Sequence, residues 1–170
     1  MKPDITDILV PVDFSDHSEA AVTYAAQLAE RLGASLNLLH VVEDPVATGA
    51  WGSDLQVPDL PRIREHIARA SEERLKTFAD TVGTGGAPFV TTVLVGRAHD
   101  AILDCAREID ADLIVMGTRG RSGLAHMLMG SVAERVVRHA ACPVLTLHAP
   151  RRPVETGPVA LEDKAILSPG

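Results

Sequence analysis

Five short apolar segments recur along the chain, each separated from the next by a stretch with helical character, and this alternation constrains the fold more than any other feature. The segments are DILVPV at 7–12, SLNLLHVV at 35–42, FVTTVLV at 89–95, DLIVMG at 112–117 and CPVLTLH at 142–148. The first is a continuous apolar run without alternation, as in a parallel strand covered on both faces. Strands that alternate with helices predict an α/β fold, a doubly wound five-stranded parallel sheet with helices on both faces and right-handed crossovers.

The helical stretches carry their own punctuation. One is expected from Ser15 or Asp16 to Leu32, with Asp16 and Glu19 spaced as a capping box, Ala21, Ala25, Leu28 and Leu32 facing inward, and Gly33 as the stop. A second spans 62–82 with Ile63, Ile67, Ala70, Phe78 and Val82 on its apolar side, a third 99–109, and a fourth 131–141 with Val132, Val136 and Val137 inward. Residues 43–61, broken by Pro45, Pro58 and Pro61, read as a long loop at the carboxyl end of the second strand. The lone tryptophan, Trp51, sits in it, either covering a ligand or partner or simply exposed.

A length of 170 residues suits one domain, 1–148, followed by a proline-rich tail, 149–170. The tail is expected to be extended or disordered, and Arg151 and Arg152 leave a flexible contact segment as the other reading. A net charge of −7 and a pI near 5.4 argue against nucleic acid as a partner, because phosphate backbones require a basic face. A small anion is still compatible, since Arg119, Arg121, Arg135 and Arg138 gather against a single acid, Glu134. Cys105 and Cys142 have no metal-ligand spacing and read as reduced thiols. The start MKPDITDILVPVDFS lacks the form of a signal peptide, and no apolar run approaches the ~20 residues of a membrane span, so no membrane and a cytoplasmic location are expected.

In an open α/β sheet, ligands bind beyond the carboxyl ends of the strands where strand order reverses. That rule selects Pro11–Ser15, the segment from Val41, and Met116–Val132. The last reads MGTRGRSGLAHMLMGSV: Gly117 and Gly120 stand two residues apart, and nine residues further Gly130 and Ser131 open a helix. Glycines admit a phosphate chain close to the backbone, and a helix N-terminus offers free amides and the positive end of its dipole. The alternative is that the glycines only turn the chain and Ser131 only caps. Walker A and GxGxxG patterns are missing and no lysine enters the loop, so there is no obvious machinery for metal-assisted phosphoryl transfer. His17, His40 and His126 form no recognisable metal set, and neither Ser15 nor Ser122 sits in a nucleophile elbow.

The glycine spacing at 117, 120, 130 and 131 resembles that of the universal stress protein family's ATP-binding subgroup, as do the opening ILVPVDFSDHSEAAVTYAAQLAERLGASLNLLHVVE and the closing CPVLTL. The resemblance covers roughly residues 5–148. It implies an adenine nucleotide alpha hydrolase-like sheet and a site for ATP, with or without Mg²⁺. Asp13 would accept from the adenine amino group, the Val41 backbone would touch the base, and Pro11 and Val12 would line its pocket. Met116 and Gly117 would face the ribose, and Gly120, Gly130, Ser131 and Val132 would hold the phosphates, assisted by Arg119. Asp13 keeps a second reading from its position alone, as a residue that turns the chain or caps the next helix. The resemblance further implies a homodimer through strand 143–147. Two functions follow: a nucleotide-dependent stress or signalling protein with no dedicated enzymatic activity, at most slow ATP hydrolysis, or a dimeric scaffold of the same fold that works without nucleotide. A true ATPase or kinase-like transferase ranks last, because no base, metal carboxylate pair or phosphate-clamping lysine can be assembled.

Overall fold

The computed structural model describes residues 4–43, 59–118 and 129–148. The elements run β1 (Asp7–Pro11), α1 (Asp16–Leu32), β2 (Ser35–Glu43), α2 (Leu60–Val82), β3 (Phe89–Gly96), α3 (Ala98–Glu108), β4 (Leu113–Gly117), α4 (Ser131–His139) and β5 (Val144–Leu147). The strands form one sheet in the order β3-β2-β1-β4-β5, and every neighbouring pair is parallel. The chain builds outward from β1 through β2 to β3, then returns across the sheet to lay down β4 and β5 on the other side. The reversal falls between β1 and β4.

Alternation along the central strands divides the core between the two faces. Ile8, Val10, Leu36, Leu38 and Val115 pack with Ala21, Ala25 and Ala29 of α1 and with Leu75 and Ala79 of α2. Leu9, Leu39, Ile114 and Met116 turn the other way, onto Ile102 and Cys105 of α3 and Ala133 and Val136 of α4. Both faces of β1 and β4 are therefore sealed by helices, which is why these strands lack a polar side.

Helix boundaries and inner faces follow the predicted signals, with five corrections. Of the two expected starts Ser15 is the N-cap of α1: its hydroxyl accepts from the Ser18 amide at 3.3 Å, so the capping box expected from Asp16 and Glu19 is not formed, Glu19 falling one residue past its position. Gly33 ends the helix in the left-handed conformation, φ 69°, and Leu32, expected inside, is exposed where the chain turns away. The second helix starts at Leu60, two residues early, because Pro61 lies in a first turn whose amides have no intrahelical acceptor in any case. Its inner stripe is also shifted by one position. Leu75 and Ala79 are buried and Phe78 and Val82 lean on them, whereas Ile63, Ile67 and Ala70 are exposed. In α4 Ala133 and Val136 are buried and Val132 packs against the same cluster, whereas Val137 faces out.

Candidate functional site

The carboxyl ends of β1 and β4 meet at the sheet's reversal point, and the chain around them is tightly tied. Beyond Pro11, the Val12 amide donates to the Leu39 carbonyl at 2.7 Å, extending the contact with β2 by one bond past the proline. Asp13 follows, its Oδ1 accepting from the Ser15 hydroxyl at 2.6 Å and the Ser15 amide at 3.1 Å. The turn-and-cap reading of Asp13 is thus realised: it holds the residue that caps α1.

At the end of β4, Gly117 lies against the first turn of α1. A Cβ on Gly117 would stand 2.7 Å from the His17 Cβ and 2.9 Å from the His17 carbonyl carbon, closer than atoms pack. Glycine here permits helix and strand to touch, a steric requirement independent of any ribose contact. The next residue, Thr118, is buried; its amide donates to the Leu147 carbonyl at 2.8 Å and its hydroxyl hydrogen-bonds with His148 Nδ1. The Thr118 carbonyl accepts from the Gly130 amide at 2.7 Å. The two ends of the glycine-rich segment are thereby drawn together, and the start of α4 is brought to the end of β4.

Gly130, with φ −73° and ψ 154°, is the N-cap of α4, so Ser131 is the first helical residue and does not cap. The first intrahelical bond runs from the Glu134 amide to the Gly130 carbonyl at 2.9 Å. By position, the amides of Ser131, Val132 and Ala133 have no carbonyl within the helix to bond, and they stand at the positive end of its dipole. The Gly130 amide, expected on a phosphate, is instead engaged by Thr118.

The remaining predicted residues divide by sheet face. Val41 and Val132 pack on the cluster that contains Met116, along with Met129, whereas Val12 belongs to the cluster on the α1 and α2 side. Pro11 closes β1 opposite Leu39. Arg119 and Gly120 lie outside the described residues, as do Arg121, His126 and Trp51.

Residues 5–148 match the universal stress protein family. The chain belongs to that family. A universal stress protein of Methanocaldococcus jannaschii is 35% identical over 150 residues, covering 85% of this chain and 83% of its own length. Universal stress protein UspA from Lactobacillus plantarum superposes with a TM-score of 0.70 at 30% identity, over 86% of this chain and 99% of its own. A universal stress protein solved in complex with cAMP gives a TM-score of 0.59 at 28% identity, over 86% and 99%.

Of the four arginines singled out for this universal stress protein site, two lie within the described residues, and one of these, Arg138, is paired with an acid. Arg138 is held by Glu134 at 2.8 Å, one turn away on an exposed face, and Arg135 donates to His99 Nε2 at 2.9 Å. Among the described residues no group of three His, Cys, Asp or Glu side chains could hold a metal ion. His40 instead bonds the Val12 carbonyl, and His17 packs on Gly117. Cys105 and Cys142 are free thiols, both pushed up in pKa chiefly by burial. No helix among the described residues is long and apolar enough to cross a membrane. Sequence reasoning missed Thr118, Phe14 and Arg74. A polar residue directly after a buried strand was the available signal for Thr118; the other two act through contacts between distant segments.

Proposed function

We propose that this chain binds an adenine nucleotide, ATP by the family pattern, beyond the carboxyl ends of β1 and β4, and that occupancy biases its loops or dimer surface in stress response or signalling. The observation that carries the reading is the Gly130–Thr118 bond, which presents the first turn of α4 at the strand end that touches the first turn of α1. The donor set suits such a ligand: first-turn amides that have no acceptor within the helix for phosphate oxygens, and an Asp13 carboxylate with the acceptor chemistry that an adenine amino group requires. The neighbour solved with cAMP supports the adenine class. Bound ATP would supply a polyanion for α4 and a hydrogen-bonding base for Asp13. Mg²⁺, where it accompanies ATP, would rest mainly on the phosphates. No residue is assigned to catalysis.

Proline is tolerated at the first helical position, and Ser131→Pro removes one amide and the hydroxyl while leaving α4 intact. Calorimetric titration with ATP should give saturable binding by the wild type and an affinity at least about tenfold weaker in that variant, the scale of one hydrogen bond to a charged group. Absence of wild-type binding at millimolar ATP, together with no copurifying nucleotide by mass spectrometry, would overturn the reading.

A second reading, the dimeric scaffold, is favoured by one feature. Among the described residues β5 is an edge strand paired with β4 alone, and its four residues are each half-buried. A second copy would pair there.

A further inference from the structure

His40, Phe14 and Arg74 have no part in the ligand contacts proposed above, yet they meet beside the turn that carries Asp13. Val12, one residue before it, is held at both backbone groups: its amide by the Leu39 carbonyl at 2.7 Å, and its carbonyl by His40 Nδ1 at 2.7 Å. A carbonyl can only accept, so Nδ1 carries the hydrogen. On the other side of Asp13, Phe14 adopts φ 64°, in the left-handed region that a bulky side chain rarely enters. Contacts from two other elements hold it there. Its ring centroid lies 4.5 Å from that of His40 on β2 and 5.5 Å from that of Phe78 on α2, and the Arg74 guanidinium sits 3.9 Å above it. The residues on both sides of Asp13 are therefore fixed from β2 and α2, by side chains distant in sequence.

We propose that His40, Phe14 and Arg74 are positioning residues for the base end of the nucleotide site, holding the β1–α1 turn so that the Asp13 carboxylate keeps the attitude an adenine amino group requires. This rests on the adenine-nucleotide reading and adds to it the residues that set base selectivity. When a binding-competent conformation falls to about one molecule in ten, apparent affinity falls about tenfold. The loss should reach the base and spare the phosphates, because the phosphate end is built by a different element, α4.

The test is calorimetry on the full chain with ATP, GTP and inorganic tripolyphosphate, for wild type, His40→Ala, His40→Asn and Arg74→Ala. Expected is an ATP affinity about tenfold weaker in His40→Ala, a narrowed preference for ATP over GTP, and unchanged tripolyphosphate binding. His40→Asn, whose amide nitrogen reaches the position of Nδ1, should recover most of the loss. Arg74→Ala, a change at an exposed side chain, should give the same pattern at smaller amplitude, so the test does not depend on one variant folding. Equal losses for ATP and tripolyphosphate, no rescue by asparagine, or an unaltered ATP affinity in both alanine variants would overturn the positioning role while leaving the nucleotide reading standing. A wild type that binds tripolyphosphate without preferring ATP to GTP would remove the adenine reading and this proposal together.

Discussion

Asp112 stands at the end of the sheet opposite the site and shows what a single carboxylate can tie together. Its Oδ2 accepts from the Thr6 amide at 2.8 Å, the Thr6 hydroxyl at 3.0 Å and the Asp7 amide at 3.1 Å, joining the approach to β4 with the start of β1. The Thr6 amide above all, then the Asp7 amide and the Thr6 hydroxyl, favour the ionised form and hold its pKa below the ordinary aspartate range. A group whose folded pKa is depressed contributes stability that is fully present above the unfolded value, about 3.9, and is lost as pH falls through the lower folded value. Asp112→Asn should therefore lower the urea midpoint at pH 7, and its deficit against wild type should shrink as the pH drops below about 4. Urea melts at stepped pH measure this, and a deficit unchanged down to pH 2 would refute the linkage. Asp13 makes a different point at the same scale. Its place after a strand fitted both a turn and a base contact, and the bonds to Ser15 establish the turn without deciding what else the carboxylate meets.

Among elements, the contact between α1 and β4 is the one the site depends on most. Four alanines in α1, Ala21, Ala25, Ala26 and Ala29, are buried, and small side chains let the helix lie close to the sheet. The same closeness continues to the first turn, where His17 leaves no room for a Cβ at position 117. Gly117→Ala must displace backbone atoms of α1 and should destabilise the fold by roughly 1–3 kcal/mol, the usual cost of overpacking. Chemical denaturation reads this directly, and a midpoint equal to wild type would mean that α1 shifts without resistance. The second helix illustrates where periodicity misleads. Two apolar stripes one residue apart, through Ile67 and through Leu75, satisfy the same helical spacing, and only the position of the sheet selects the second.

For the whole molecule, the open question is what borders β5. Its bonds to β4 use the carbonyls of Pro143 and Leu147, so by the alternation of a parallel ladder the backbone groups of Val144 and Thr146 point outward. Thr146→Pro removes an outward amide and keeps the inner ladder. If a second copy pairs along this edge, sedimentation velocity should show a dimer for wild type and a monomer for the variant, both folded by circular dichroism. A monomeric wild type at high concentration would end the dimer proposal.

The sequence alone determined the five strands, the parallel sheet and the family, because apolar runs, caps and glycine spacing are local signals that survive without knowledge of neighbours. Ser15, Gly33 and the pair Gly130 and Ser131 were legible in that way, although the cap of α4 fell one residue earlier than expected, on Gly130. Tertiary structure alone decided which stripe of α2 is buried, why Gly117 must be glycine, that the Gly130 amide is taken by Thr118, and that His40, Phe14 and Arg74 converge on the turn at Asp13. Each of these is a contact between segments far apart in the chain, and no local pattern encodes the distance between two elements until the sheet has fixed where both of them lie.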